Sequence, residues 1–209
     1  MRIQKFGHSC LLVESGDARL LIDPGTLAGD WDQLDGVTGI LLTHQHADHY
    51  DPDRLPALLS ANPDAVIVAD EGTAAKLAER GMTATTVRAG DTVQVGGVTV
   101  GVHGARHELI HPDIPVIPNV GYAVDGLFHP GDAFTPPPAG TRVLAAPLVA
   151  PWSKVAETVA YLRAANVPTV IPIHDAIAAV PGMFRQIVSG LLPDSTTIRG
   201  IDREGMVSF

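Results

Sequence analysis

The segment THQHADHYD, residues 43–51, concentrates side chains that bind metal ions or move protons. It holds His44, His46, Asp48 and His49 within six positions, although the whole chain has only nine histidines. Such side chains lose hydration when packed together and disfavour each other's protons, and a cation among them removes that penalty. Imidazole with carboxylate suits zinc, and also iron or manganese, better than calcium. We interpret the segment as part of a metal site rather than as a solvated loop.

The histidine segment follows the apolar run GILL, which is typical of a buried strand. Residues two apart can point the same way in an extended or looped backbone, so His44 and His46 can hold one ion. Asp48 and His49 then face a neighbouring position. Other segments of the chain must then supply the remaining ligands.

The rest of the chain alternates short apolar runs with turns and helical segments. Hairpins are predicted in CLLVE with ARLLID, in DTVQVGGVTVGVHGA, in NVGYAVDGLFHPGD and in the C-terminal TTIRGIDREGMVSF. Single strands are predicted in GILLTH, AVIVAD, RVLAAPLVAP and TVIPIHD, and helices in DPDRLPALLSAN, EGTAAKLAERG, SKVAETVAYLRAAN and around GMFRQIVSGL. Hairpins and helices thus occur in two similar halves, and no linker divides them. We expect one domain over residues 1–209.

Composition narrows the classes of function. The 209 residues are 45% hydrophobic and 18% charged, which is ample for a buried core. The net charge of −9 argues against a nucleic-acid partner, since that requires a basic face. The sequence shows no apolar run long enough for a bilayer and no signal peptide at its start. Cys10, the one cysteine, excludes an internal disulfide, fits a small core residue and suits a reducing cytoplasm.

Several motifs resemble those of the metallo-β-lactamase superfamily. THQHADH is similar to its T-H-x-H-x-D-H signature, and LLIDPG, VTVGVHGARH, FHPGDAF and VIPIHD resemble its other motifs in the expected order. FGHSCLLVE and AAPLVAPWSK resemble the small metal-dependent hydrolase branch that includes ascorbate-6-phosphate lactonase-like proteins. The resemblance and the twofold order of elements imply an α+β fold: a four-layer αββα sandwich of two mixed β-sheets with helices outside.

The resemblance also implies a ligand set for two divalent metal ions, with zinc preferred and manganese or iron as alternatives. The first ion would be held by His44, His46 and His107, the second by Asp48, His49 and His174, with Asp132 bridging both. Two ions about 3.5–4 Å apart lower the pKa of a shared water to near 7, which supplies a metal-bound hydroxide at neutral pH.

Some assignments leave alternatives. HGARHELIH offers His103, His107 and His111; we prefer His107 because it lies just past the predicted strand, and we place His111 at the substrate mouth. Trp152 either covers the site, as a second candidate for the substrate mouth beside His111, or anchors the following helix, and the second role is favoured. His129 is expected to support a ligand or to pack in a strand.

Two further side chains near the site have expected roles. His8 follows a glycine at a bend, and the matching loop of the resembled branch approaches the metals; with Asp48 it is our candidate catalytic residue, orienting substrate or leaving group. Asp23 is expected to accept backbone or imidazole N–H bonds and to support the ligand loop rather than to bind metal.

The predicted function is therefore metal-dependent hydrolysis of a small ester, lactone or phosphoester. Secreted zinc β-lactamases commonly use a cysteine ligand, whereas position 132 is aspartate; flavin-linked diiron reductases have glutamate where this chain has His46; nucleases of the fold carry additional RNA-binding arms or domains. The competing hypothesis is a non-catalytic metal-binding or ligand-sensing module on the same scaffold. The sequence does not choose the substrate, and the oligomeric state is open.

Overall fold

The computed structural model describes residues 1–201 and 205–209, which form two seven-stranded β-sheets. The first sheet contains β1 (Arg2–Gly7), β2 (Cys10–Ser15), β3 (Ala18–Ile22), β4 (Gly39–Leu42), β5 (Val66–Ala69), β6 (Thr85–Thr86) and β14 (Val207–Ser208). Its strand order is β14-β1-β2-β3-β4-β5-β6. Pairing is antiparallel from β14 to β3 and parallel from β3 to β6, so the sheet is mixed.

The second sheet repeats this arrangement. It contains β7 (Thr92–Val95), β8 (Val98–His103), β9 (Gly121–Val124), β10 (Leu127–His129), β11 (Val143–Pro147), β12 (Thr169–Ile173) and β13 (Thr197–Ile198). The order is β13-β12-β11-β10-β9-β8-β7, antiparallel from β7 to β10 and parallel from β10 to β13. Each sheet therefore has a meander half and a parallel half.

The helices lie on the outer faces of the two sheets. Within the described residues they are α1 (Leu55–Ala61), α2 (Glu71–Glu79), α3 (Val155–Ala165) and α4 (Pro181–Ser189), with a 3₁₀ turn at Trp31–Gln33. Leu58 of α1 and Leu77 of α2 pack on one face of the first sheet, and Leu162 of α3 and Val188 of α4 pack on the second. A third apolar cluster, which contains side chains of both sheets, fills the space between them. The predicted four-layer αββα sandwich is confirmed.

The ends of the helices follow local chemistry. The Asp70 carboxylate accepts the N–H groups of Gly72 and Thr73 and so caps the first turn of α2. α4 begins at Pro181, whose fixed φ suits a first helical position. α3 ends at Asn166, which takes the left-handed conformation that commonly closes a helix.

The site is positioned by the carboxyl ends of parallel strands. β3 and β4 of the first sheet end at Ile22 and Leu42, and β12 of the second sheet ends at Ile173. The chain continues from these ends into Asp23, His44 and His174, and ligands in α/β sheets bind at such edges. The Tyr122 hydroxyl lies 2.8 Å from the Leu42 carbonyl oxygen and joins the two sheets directly behind the histidine segment.

The predicted elements are present with one exception. The predicted helices occur, as do the three hairpins β2–β3, β7–β8 and β9–β10, and Cys10 is a buried free cysteine as expected. The predicted C-terminal hairpin is wrong: β13 pairs with β12, whereas β14 crosses to the other sheet and covers the edge strand β1. An exposed edge offers unpaired backbone groups, which explains the second pairing. Part of that prediction, residues 202–204, lies outside the described residues. No helix in the described chain combines the length and apolar character needed to cross a bilayer.

Candidate metal centre

The histidine segment forms a tight turn directly after β4. The N–H groups of His49 and Tyr50 both donate to the His46 carbonyl, at 3.0 and 2.9 Å. The neighbouring loop packs against this turn so closely that a Cβ at Gly25 would lie 1.9 Å from the Asp48 carbonyl oxygen. Only glycine permits this approach of backbone to backbone, so Gly25 helps to fix the ligand turn.

Three imidazoles form the first group of ligand atoms. His44, His46 and His107 each offer a ring nitrogen, and these atoms lie within 4.8 Å of one another. Nε2 of His44 is 3.1 Å from Nδ1 of His46, and the His107 ring centroid is 4.9 and 4.7 Å from those of the two other rings. Three imidazole nitrogens at these separations match the donor set of a catalytic zinc site.

The second group lies beside the first and contains a carboxylate. His8, Asp48, His49 and His174 offer four atoms within 4.8 Å of one another. Oδ2 of Asp48 is 3.1 Å from Nε2 of His8, 3.3 Å from Nε2 of His174 and 3.9 Å from Nε2 of His49. This group differs from the first in its charge.

Asp132 lies between the two groups. Its Oδ1 is 3.0 Å from Nε2 of His49, and its Oδ2 is 3.3 Å from Nε2 of His107 and 3.0 Å from Nε2 of His174. The indole N–H of Trp152 donates to the same Oδ2 at 3.0 Å. One carboxylate thus contacts side chains of both groups, which is the position that a bridging ligand requires.

Hydrogen bonds on the outer ring nitrogens fix the orientation of most of these histidines. Nδ1–H of His49 donates to Asp23 at 2.7 Å, that of His107 to the Glu108 carbonyl at 2.6 Å and that of His174 to the Val149 carbonyl at 2.7 Å. With the proton held on Nδ1, the lone pair of Nε2 is directed into the cluster, as in carboxylate–histidine–zinc arrangements.

Asp23 has the role that the sequence predicted. It accepts the backbone N–H and the hydroxyl of Thr43, both at 2.8 Å, in addition to the His49 ring. The Thr43 oxygen is free to accept Nδ1–H of His44, 3.0 Å away, so one buried carboxylate orients two histidines of the ligand turn.

The residues present fit a divalent metal. Nε2 of His107 and Oδ1 of Asp132 are buried and have no hydrogen-bond partner of suitable geometry in the described chain. Buried polar atoms without a partner are costly, and a cation contacting both atoms would satisfy them. The donors are imidazole nitrogen and carboxylate oxygen, which suit zinc, iron and manganese.

Burial and charge act differently on the histidines of the cluster. Burial, followed by the charge of His49, lowers the pKa of His44 well below its ordinary value, and burial lowers that of His46. Burial also disfavours a proton on His49, but the carboxylates of Asp132 and Asp23 outweigh it and hold the pKa of His49 well above its ordinary value. His44 and His46 are therefore unprotonated and available to bind a cation, whereas His49 retains a proton.

His174 and Asp132 form the strongly charged part of the cluster. Burial lowers the pKa of His174, but hydrogen bonds with Asp132 and Asp48 reverse this and raise it to about 9. Burial raises the pKa of Asp132, yet the charge of His49 and the adjacent imidazoles of His107 and His174 hold it well below its ordinary value. Asp132 is thus an anion at neutral pH.

Backbone strain is concentrated at the same place. His8, Asp23 and His174 have φ values of +46°, +49° and +58°, in the left-handed region that non-glycine residues rarely adopt. Each such residue costs of the order of 1 kcal/mol or more, and strain of this kind collects at functional sites. The N–H of His174 donates to the carbonyl of His8 at 3.3 Å, so two of these residues support each other.

The structure separates the three candidate histidines of HGARHELIH. His107 belongs to the first group, whereas His103 lies on β8, with its ring edge-on to Phe128 at 5.7 Å. His111 is exposed in the loop that follows His107, and its Nδ1 accepts the N–H of Asp113. Neither His103 nor His111 joins a ligand group among the described residues.

Trp152 contacts the cluster directly, and His129 supports a loop that carries one of its residues. The favoured role of Trp152, which was to anchor the following helix, did not predict the hydrogen bond that its indole N–H donates to Asp132. His129 is fully buried; its Nε2–H donates to the Ser9 carbonyl at 2.9 Å and its Nδ1 accepts the N–H of Gly131. His129 therefore ties the turn after β1 to the loop that carries Asp132.

Sequence reasoning missed a buried charge network beneath His174. Nζ of Lys5 lies 2.8 Å from Asp175, the residue that follows His174, and also donates to the Pro172 carbonyl. Asp175 is in turn 2.5 Å from Arg185 of α4. In β1 Lys5 lies two positions after the buried Ile3 and so shares its face, and this period-two position was the available signal, because buried lysines require a partner.

Comparisons with known proteins agree with this fold and this cluster. A family model described as beta-lactamase superfamily domain matches residues 2–174. The chain belongs to the metallo-β-lactamase superfamily.

The chain is similar to proteins of several organisms. It is 44% identical to protein Rv0786c of Mycobacterium tuberculosis over the whole of both chains. It is 33% identical to a UPF0173 metal-dependent hydrolase of Rhizobium etli over 51% of this chain and 48% of that protein, so it matches about half the length of that relative. The crystal structure of the metallo-beta-lactamase fold protein YhfI of Bacillus subtilis superposes with a TM-score of 0.71 at 14% identity, covering 95% of each chain.

Proposed function

We propose that this protein is a metal-dependent hydrolase whose buried cluster holds two divalent ions. The observation that carries the proposal is the convergence of two ligand groups on one shared carboxylate, Asp132. The similarity to UPF0173 metal-dependent hydrolases supports the reaction class. Zinc is our first choice, and manganese or iron are alternatives with the same preference for imidazole and carboxylate.

The proposed ligands follow the two groups. His44, His46 and His107 hold the first ion, and Asp48, His49 and His174 hold the second, with Asp132 between them. The anchored outer nitrogens of His49, His107 and His174 support these roles. His103 and His111 are left out because they lie outside the groups.

Two bound ions would supply Lewis acidity and a hydroxide nucleophile at neutral pH. The chain's own residues then do the positioning. Asp132, ionised and held by the Trp152 N–H, presents a fixed negative charge at the centre of the cluster. Burial raises the pKa of Asp48, but hydrogen bonds from His174 and His8 outweigh it and hold that pKa far below its ordinary value, so the partly buried Asp48 is a second fixed negative charge beside the reacting group. Seclusion of the cluster from water strengthens each of these electrostatic interactions.

The substrate class proposed is a small ester, lactone or phosphoester. These groups share an electrophilic centre with an oxygen that a cation can polarise. The net charge of −9 disfavours a nucleic-acid partner, and His111 and Trp152 remain our candidates for the substrate mouth. A single domain over residues 1–209 and a location in a reducing cytoplasm stay predictions.

The alternative is a metal-binding or ligand-sensing module without catalysis. Fold alone never secures an activity. The left-handed backbone at His8, Asp23 and His174 favours the enzyme, because strain of this kind is maintained where geometry must be set closely.

The test combines metal content with turnover. Protein freed of metal by chelation and then loaded with zinc, manganese or iron is assayed on an ester, a lactone and a phosphodiester. We expect up to two ions per chain by elemental analysis and turnover that depends on them. His46→Ala should lower metal content, whereas His103→Ala, which removes a histidine of β8 outside the groups, should not. Two ions without turnover on any substrate class would support the module instead.

A further inference from the structure

Large apolar side chains exposed to solvent are concentrated around the candidate metal centre. In the described part of the chain nine are exposed: Leu27, Val66, Leu109, Ile114, Ile177, Val180, Met183, Ile187 and Leu191. Six of them lie on three segments next to the ligands, and we call them the apolar rim: Leu27, Leu109, Ile114, Ile177, Val180 and Met183. Ile187 lies on α4 and Leu191 just beyond it, and only Val66, at the opposite end of β5, lies elsewhere. Single exposed apolar residues are ordinary, whereas a set surrounding a polar site marks a binding surface.

The first segment of the rim is the loop 108–116. The N–H of His107 donates to the Ile117 carbonyl at 3.0 Å, so both ends of the loop are joined at a proposed ligand. The N–H of Glu108 donates to the Asp132 carbonyl, which fixes the loop to the bridging residue as well. From this base the loop carries Leu109, 53% exposed, and Ile114, 46% exposed.

The second segment begins directly after His174 and runs into α4. Asp175 is bound to Arg185, which holds the start of the helix next to His174. Ile177, Val180 and Met183 follow at intervals of three and are all about half exposed or more. The inner face of α4 is already occupied, since Val188 is buried in the core. Of the exposed residues only Met183 and, one turn later, Ile187 lie within α4 itself, and folding does not explain their exposure.

The third segment is the loop after β3, which carries Leu27. The N–H of Thr26 donates to the Ala47 carbonyl at 2.8 Å, so this loop lies against the ligand turn itself. Inside the rim stands Trp152, whose ring is 6.0 Å from that of His107 and 6.3 Å from that of His174.

We propose that the apolar rim binds the hydrocarbon part of an amphiphilic ester or phosphoester while the polar group of the same molecule reaches the metal centre. This inference rests on the proposed hydrolase function. Each rim segment is joined to a proposed ligand or to the turn that carries one, by a backbone hydrogen bond or directly along the chain, which suits one molecule with a polar and an apolar end. An anionic membrane surface is disfavoured by the net charge of −9. A hydrocarbon chain seated on the rim removes apolar surface of both partners from water.

A binding experiment tests the rim without turnover. Methyl-, butyl- and octylphosphonate carry the same polar group and are not cleaved, and each is titrated calorimetrically into metal-loaded protein. We expect affinity to rise by about two- to fourfold for each methylene that is buried. In the double variant Val180→Gln/Met183→Gln this rise should become clearly shallower. Val66→Gln, which changes a large apolar residue 44% exposed outside the rim, is the control and should keep the wild-type rise.

The outcomes separate the inference from the proposed function. If the affinity rises with chain length, the rim variant makes that rise shallower and no substrate is turned over, the binding surface is supported and only the hydrolase function is refuted. Metal-dependent turnover combined with affinities that do not change with chain length would overturn the inference alone. A rim variant that changes only the sedimentation coefficient would identify a contact between two copies of the chain, and would also overturn it.

Discussion

The two ligand groups of the metal centre share one carboxylate but differ in charge. His44 and His46 of the first group have lowered pKa values and are neutral at pH 7. In the second group, the pKa of His49 is raised well above its ordinary value and that of His174 to about 9, because carboxylates surround them. A cation can enter the first group with little competition, whereas in the second it must displace protons.

The two groups also differ in the chain segments that supply their side chains. Two ligands of the first group come from the turn after β4 and are separated by one residue. The side chains of the second group come from three distant parts of the chain: His8, the ligand turn and His174. His8 and His174 have strained backbone. We expect the second ion to be the more sensitive one to pH and to changes in the supporting side chains.

The largest expected effect follows from removing the shared charge. If two dications are bound as proposed, Asp132→Asn leaves an amide between them, so their repulsion is less compensated and a neutral oxygen donates more weakly. We expect at least one ion to bind more weakly and turnover to fall by two or more orders of magnitude, about 3 kcal/mol or more in the barrier. Metal content and turnover are compared with Asp64→Asn, an exposed carboxylate far from the ligands in the sequence. Two tightly bound ions with full activity would disprove the bridging role.

Asp23→Asn should lower the metal affinity of the two groups unequally, because Asp23 orients His49 directly. The substitution replaces one acceptor oxygen by a donor, so the bonds from Thr43 and His49 cannot all remain. The His49 ring then loses its fixed tautomer, and changes of this kind cost about 10- to 100-fold in metal affinity. We expect chelator competition to show this loss for the second ion and a smaller one for the first. Equal losses would mean that the substitution acts on the fold as a whole, which circular dichroism would reveal.

Much of this arrangement was predictable from local sequence patterns. Strands, hairpins and helices follow from periodicity and turn residues, and the ligand turn is visible because its members lie within six positions. What was not predictable depends on contacts between distant segments. The C-terminal strand pairs with β1 because an edge was open, not because of its own two residues. Trp152 reaches Asp132 through the packing of two loops, and no spacing within the chain encodes that contact.

The third prediction concerns pH. In the metal-free protein His174 holds a proton up to about pH 9, and an ion that binds there must release it. The affinity for the second ion should therefore rise about tenfold per pH unit for each proton released, and the part of this rise that comes from His174 should level off near pH 9. The affinity for the first ion should change much less above pH 7, since His44 and His46 are already neutral. Metal titrations from pH 6.5 to 9 measure both; parallel curves would contradict the contrast between the groups.

The same proton contributes to folding when no metal is present. The pKa of His174 is about 9 in the folded protein and near 6.5 when unfolded, so its contribution is fully present below pH 6.5 and is lost as the pH rises through 9. Denaturant unfolding in the presence of chelator should show stability decreasing across this interval. Saturating metal should remove much of that decrease, because the ion replaces the proton.

The smallest expected effect tests what His8 does for the second group. Its Nε2 lies 3.1 Å from Asp48, while its Nδ1 is buried without a hydrogen-bond partner in the described chain. The proposed ligands His49, His107 and His174 have an anchored Nδ1, so His8 fits a donor of Nε2–H that orients Asp48 better than it fits a ligand. His8→Gln places an amide N–H near the position of Nε2, whereas His8→Asn reaches only as far as Nδ1. We expect the affinity for the second ion to fall about two- to threefold in the first variant and about tenfold in the second.

The backbone conformation at His8 helps to interpret the comparison between the glutamine and asparagine variants. His8 has φ +46°, a conformation that asparagine adopts more readily than glutamine does. Backbone preference alone would therefore rank the asparagine variant above the glutamine variant, which is the reverse of the order expected from the hydrogen bond to Asp48. Competition with a chelator measures the affinities of both variants at one pH. Equal large losses would make His8 a ligand of the second ion, and an asparagine variant that binds better would show that the turn matters more than the hydrogen bond.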